Sequence, residues 1–166
     1  QKVEFLENQG PKLENFNLNK FLKNNDIDFI EKLKPVYKSI EITRKRLDKK
    51  KSLISFIGAP WTLLVYMIGA KLSKKEIDLK LIKKKKNEIS LVLEKLINYL
   101  CLHIDKQIKA GADVVQVFDS WAGLIPQEDL NRFCFVPNSK IVQFCKKKGI
   151  PVICFPKGIR ENYKDF

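Results

Sequence analysis

The spacing of apolar residues changes period several times along the chain, and each change marks a boundary between elements. From about residue 88 to 109, Ile89, Val92, Leu93, Leu96, Ile97, Leu100, Ile104 and Ile108 recur at three- and four-residue intervals, which predicts one long amphipathic helix. Directly after it, Val114, Val115, Val117 and Phe118 form a run too short for a helix and rich in β-branched side chains. That run predicts a buried parallel strand, and Gly111 between the two suits a left-handed residue past the helix end. The same step from helix to strand occurs twice more. Val36, Ile40, Thr43 and Leu47 predict a helix from Pro35 to the lysine run at 49–51, followed by a strand at 52–57. Leu130, Phe133, Ile141, Phe144 and Cys145 predict a helix from Pro126 to Gly149 that Pro137 kinks or divides, followed by a strand at 150–155.

The connecting pieces are shorter. Pro60 opens a helix where a missing N–H costs nothing, and that helix is expected to end near Gly69. Ser73 is expected to cap a further helix containing Ile77, Leu79 and Ile82. At the beginning of the chain, Val3, Phe5 and Leu13 around Gly10 and Pro11 predict an extended segment followed by a turn, with a surface loop or short helical turn at 17–25. Three strands with intervening helices are the pattern of a parallel βαβ sheet with right-handed crossovers. The pattern alone leaves a barrel and an open doubly wound sheet both standing. No GxGxxG or GxxxxGK[ST] loop follows any strand, which argues against a dinucleotide site or a phosphate-binding loop.

A length of 166 residues allows one sizeable core, whereas a closed eightfold α/β barrel takes about 250 residues. Because the chain starts at Gln1 and stops at Phe166 just after a strand-like segment, an internal fragment is expected. Such an arc would leave strand edges unpaired, so loose packing or aggregation is expected of it in isolation. The balance of 32 basic against 19 acidic residues gives +13, a charge that attracts polyanions. Apart from Arg44, Arg46, Arg132 and Arg160, every basic residue is lysine, and aromatic residues do not interleave with the lysine runs. A solvated surface is favoured over a nucleic-acid groove. Cys101, Cys134, Cys145 and Cys154 show no paired spacing and read as reduced thiols. Cys101 and His103 stand two apart on a helix and point to different sides, so no metal site is expected; His103 reads as a surface or interface residue. No signal peptide or membrane span is visible, and a cytoplasmic location is expected.

The chemistry concentrates where strands give way to loops. Asp119, Ser120 and Gly123 follow one strand in GADVVQVFDSWAG, and Gly58 and Pro60 follow another in SLISFIGAPWTLLVYM. Gly58, Pro60, Trp61, Thr62, Leu63, Tyr66 and Met67, with Gln116, Phe118, Asp119, Ser120, Trp121, Ala122 and Gly123, resemble two segments of the uroporphyrinogen decarboxylase family. The opening KVEFLENQGPKL and the closing ICFPKGIRENY also look like family segments, so the resemblance spans essentially the whole chain. It implies an α/β fold, here part of a (β/α)8 TIM barrel. The implied activity is removal of carbon dioxide from the four acetate side chains of uroporphyrinogen III, giving coproporphyrinogen III, with no cofactor. The complete enzyme would act in the cytoplasm on a small molecule as a homodimer.

By motif position the resemblance makes Tyr66 and Ser120 substrate-binding residues and Phe118 a possible wall of the cleft. Asp119 is expected to shape the loop, with an acid or base role as the lesser reading, since the family's key aspartate belongs to a strand without a counterpart here. Lys157 could attract carboxylates or stand as a plain surface lysine, and Trp61 and Trp121 read as packing anchors. The family's N-terminal arginines and C-terminal histidine have no counterpart either, so these 166 residues alone are not expected to catalyse. The chain departs from the family at IGAKLSKKE, where a Gly-rich turn is common. Two other readings remain: a related zinc-dependent methyltransferase barrel of the corrinoid or methylthiol type, and a basic RNA-binding module.

Overall fold

The computed structural model describes residues 3–6, 10–73, 75–164 and 166. Lys2 and residues 7–9 of the opening family-like segment and Lys74 of the departing segment lie outside the described residues. The chain opens with an antiparallel hairpin, β1 (Val3–Leu6) and β2 (Gly10–Leu13), followed by α1 (Leu18–Lys23) and α2 (Asp26–Arg46). Then come β3 (Ile54–Gly58), α3 (Pro60–Met67), a small hairpin of β4 (Lys71–Ser73) and β5 (Glu76–Ile77), α4 (Leu79–Lys84) and α5 (Lys86–Lys109). The last part holds β6 (Val114–Asp119), a series of short 3-10 and π turns, α6 (Val136–Lys147) and β7 (Val152–Pro156).

β3, β6 and β7 form one parallel sheet in chain order, with Ile57 level with Val117 and Val117 level with Cys154. Both crossovers lay their helices on one face. Ile57, Val115 and Val117 pack there against Leu100 and Ile104 of α5 and Ile141 and Cys145 of α6. Opposite, Ile54, Phe56, Ile153 and Phe155 are exposed, Phe56 to 68%. A doubly wound sheet would cover both faces, whereas consecutive parallel strands with helices on one side form an arc of a barrel. The sheet is not closed. Burial on both faces, expected from the apolar strand sequences, is met only on the helix side.

Two helix boundaries differ from the sequence expectation. α2 begins at Asp26 rather than near Pro35 and carries Pro35 inside it. An interior proline costs about 3 kcal/mol, but the Asn25 side chain caps the Asp28 N–H at 2.8 Å and Phe29 stacks on Tyr99 of α5 with ring centres 4.2 Å apart. Tertiary packing and a good cap therefore outweigh the break. Ser73 caps no helix: its hydroxyl accepts from the Lys75 N–H inside the β4–β5 hairpin, and Asp78 caps α4 by accepting from the Leu81 N–H. Pro137 divides the helix expected from Pro126, standing in the first turn of α6 after a π turn over Asn131–Phe135.

Arg44 ties the N-terminal ends of the strands together. Its guanidinium bonds Asp113 at 2.8 Å and the carbonyls of Leu47, Asp48 and Lys51, while Asp113 also accepts from the Leu53 N–H. Gly111, at a φ of +109°, lies against the Arg44 stem, where a Cβ would come within 2.7 Å.

The two faces of the sheet should respond oppositely to substitution. Ile141→Ala, on the helix side, is expected to lower stability in urea by about 2–5 kcal/mol. Phe56→Ser and Phe155→Ser, on the open side, are expected to leave stability within about 1 kcal/mol and to reduce binding of a hydrophobic dye to the isolated chain. Equal losses on both faces would mean that the open side is covered in solution.

Candidate substrate site at the C-terminal ends of the strands

The loops that follow β3, β6 and β7 are joined to one another by their backbones. The Ala59 N–H donates to the Phe118 carbonyl at 2.8 Å, the Lys157 N–H to Asp119 at 3.1 Å, and the Gly123 N–H to Lys157 at 2.9 Å. Gly123 runs so close to Gly158 that a Cβ would stand 2.6 Å from the Gly158 carbonyl oxygen. Only glycine permits that approach, which explains its place at the end of FDSWAG.

Beneath these loops sits Asp119, 1% exposed, on the helix side of β6. Thr62 Oγ1 donates to one carboxylate oxygen at 2.8 Å and Asn138 Nδ2 to the other at 3.1 Å. The Thr62 hydroxyl also accepts from the Trp121 N–H at 3.3 Å. Burial pushes the Asp119 pKa up, and the hydrogen bonds from Thr62, Asn138 and Cys134 oppose that rise. No cation pairs with it among the described residues. It points away from the open face and links β6 to α3 and α6.

Trp61 and Trp121 anchor the same region. Trp61 is fully buried, stacks on Phe133 at 5.1 Å and donates its indole N–H to the Trp121 carbonyl at 3.1 Å. Trp121 is buried in turn and meets Tyr66 edge-on, ring centres 5.9 Å apart. Through Trp121 the structure brings Tyr66, at the end of α3, to the loop carrying Ser120. Tyr66 is 40% exposed and Ser120 is exposed. Phe118 lies half-buried on the open side of the sheet, edge-on to both Phe56 and Phe155. Lys157 is exposed just past β7.

Two neighbouring cavities, of about 570 and 700 Å³, share Tyr66, Met67 and residues 13–16 in their walls. His103 lies elsewhere, between α2 and α5: its ring nitrogens meet the Tyr37 hydroxyl at 3.0 Å and Gln107 Nε2 at 2.7 Å, and burial pushes its pKa down to about 4. Among the described residues no three His, Cys, Asp or Glu side chains gather as a metal site, and no helix is long and apolar enough to cross a membrane. Sequence reasoning did not find Asn138, whose contact with Asp119 carries no local signal, or Lys71, whose ammonium stands 5.7 Å over the Tyr66 ring.

A family model described as uroporphyrinogen decarboxylase (URO-D) matches residues 1–165. The chain belongs to the uroporphyrinogen decarboxylase family. Relatives named uroporphyrinogen decarboxylase include those of Rickettsia bellii, 37% identical over 99% of this chain and 49% of the relative, and Orientia tsutsugamushi strain Ikeda, 38% identical over 99% and 48%. That of Campylobacter fetus is 36% identical over 95% of this chain and 48% of its own length. The chain thus spans about half the length of the curated relatives it matches. The family match agrees with the barrel arc seen in the sheet.

The Asp119 geometry fixes a pH response. Its raised folded pKa means that the folded state holds the proton more tightly than the unfolded chain, whose value is about 3.9. Its contribution is therefore fully present below about pH 4 and is lost as pH rises through the folded value. Urea midpoints at pH 4 and pH 7 should show the wild type losing stability relative to Asp119→Asn at the higher pH. An unchanged difference would mean that its ionisation costs nothing. Thr62→Val, which removes a hydrogen-bond partner of that carboxyl group and the acceptor of the Trp121 N–H, is expected to cost about 1–3 kcal/mol.

Proposed function

We propose that this chain is the central portion of a uroporphyrinogen decarboxylase barrel. The complete protein converts uroporphyrinogen III to coproporphyrinogen III by removing carbon dioxide from its four acetate side chains. The observation that carries the reading is the meeting of Tyr66 with the Ser120 loop, through Trp121, at the C-terminal ends of a parallel sheet. That is the end at which barrel enzymes place their chemistry, and the chain belongs to the decarboxylase family.

The reaction needs no resident electron sink beyond the substrate. Protonation of a pyrrole carbon makes the ring cationic; the bond from methylene to carboxylate then breaks and its electron pair flows into that ring. Carbon dioxide leaves, a proton taken up at the methylene carbon makes it a methyl group, and the proton first added to the ring carbon is lost, so the neutral pyrrole is restored with one proton consumed for each carbon dioxide released. The protein has to hold the carboxylates, stabilise the cation and keep water out. Tyr66 and Ser120 supply neutral hydroxyls that can donate to carboxylates, and Phe118, flanked by Phe56 and Phe155, supplies an apolar wall. Further cationic and acidic groups belong to the rest of the barrel, and a cytoplasmic homodimer is the setting we assign to the complete enzyme.

In the complete enzyme Tyr66→Phe and Ser120→Ala should each lower catalytic efficiency by about one to two decades, the worth of a hydrogen bond to a charged group, while melting stays within a few degrees. Leu64→Ala, in the core beside Tyr66, should instead lower the melting temperature and leave the rate per folded molecule nearly unchanged. Full decarboxylation by both hydroxyl variants at subsaturating uroporphyrinogen would make the two residues structural. Stoichiometric tightly bound zinc with methyl transfer to a thiol would favour the methyltransferase reading instead.

A further inference from the structure

The segment that departs from the family's Gly-rich turn puts a cation over the ring of the tyrosine on which the proposed site rests. β4 begins at Lys71, and its ammonium stands 5.7 Å over the Tyr66 ring, within the reach of a cation–π contact. The hairpin is anchored there by the Asp78 N–H, which donates to the Ala70 carbonyl at 2.7 Å, so the placement does not depend on the lysine side chain alone. Lys71 and Lys12 both line the cavity of about 700 Å³ that Tyr66 shares, and Lys20 and Lys32 line the adjoining one. All four lysines are exposed, and none forms an ion pair with a described residue. Among the described residues lining the two cavities, Glu14 is the one carboxylate, against four ammonium groups. Phe16 and Met67 add apolar surface to both.

An apolar floor with ammonium groups around it and a phenol in the shared wall is complementary to a flat apolar ring carrying several carboxylates. From this juxtaposition we infer that Lys71 is a specificity-determining substrate contact, taking a peripheral carboxylate of the porphyrinogen at the Tyr66 end of the cleft with Lys12 as its neighbour. The inference rests on the proposed decarboxylase reading and deepens it. A lysine binds as a point charge on a flexible stem, so it tolerates several carboxylate positions where a bidentate arginine would fix one. Its attraction is also present before and after carbon dioxide leaves a different side chain. Lys71 therefore acts on ground-state binding, which raises affinity without raising the chemical rate.

The test uses the complete enzyme, uroporphyrinogen III as substrate, and the variants Lys71→Met and Lys71→Arg. Lys71→Met should raise KM by about threefold to tenfold with kcat changed less than about twofold, and Lys71→Arg should recover most of the loss. Raising the salt concentration should weaken substrate binding more in the wild type than in Lys71→Met, because the variant has already lost the screened attraction. A Lys71→Met variant with wild-type KM and wild-type salt response overturns the inference. So does a variant that loses kcat and melting temperature together at constant KM, since Lys71 would then be a prop under Tyr66. A wild-type protein that does not decarboxylate uroporphyrinogen overturns the functional reading itself and takes the Lys71 contact with it.

Discussion

The carboxyl group of Asp119 is the point on which the C-terminal end of the sheet turns. It is buried with no counter-cation among the described residues, and burying a carboxyl group costs free energy unless hydrogen-bond partners surround it. The donors come from two different elements, Thr62 on α3 and Asn138 on α6, so satisfying one strand residue fixes two helices against the sheet. The Thr62 hydroxyl passes the constraint on by accepting from the Trp121 N–H, and Trp121 sets the ring of Tyr66. Tyr66 is thus held by a chain of contacts that begins at an acid facing away from it. A short helix such as α3 gains little from its own hydrogen bonds and owes its place to tertiary contacts of this kind.

The opposite end of the sheet is held differently. There Arg44 satisfies three carbonyls and pairs with Asp113, in contacts that join chain turns to each other and leave no side chain free for chemistry. One end is stapled by a charge-assisted network, and the other is tied by a buried acid and touching loop backbones with hydroxyls left exposed above them. This division is the one expected of parallel α/β folds, where the N-terminal face carries stability and the C-terminal face carries the reaction.

How much of this was legible in the chain depends on the range of the interaction. The strands and the long helix α5 were readable because a single apolar period runs through each. The two-residue period of β6 also separates its side chains: Val115, Val117 and Asp119 share one face, and Gln116 and Phe118 share the other, so the inward turn of Asp119 follows from alternation. Its partners do not, since 57 residues separate it from Thr62 and nothing local announces Asn138. The first turns of α2 were missed because their support is a stacked Tyr99 far along the chain and an Asn cap outweighed by the conspicuous Pro35. The β4–β5 hairpin was missed because strands of three and two residues are too short to show a period.

The open side of the sheet gives the site its remaining requirement. Phe118 touches Phe56 on one neighbouring strand and Phe155 on the other, so one aromatic layer spans all three strands on the open face. Large apolar side chains standing exposed on a sheet whose outer edges are unpaired among the described residues are costly in water. In a closed barrel the same side chains would meet residues of other strands and form an interior layer. Closure would also lower the dielectric beside the hydroxyls, and a hydrogen bond from Tyr66 or Ser120 to a carboxylate gains strength as water is excluded. The apolar layer and the polar rim are therefore coupled: a hydrogen bond from either hydroxyl gains strength only to the extent that the phenylalanines of the open face are covered.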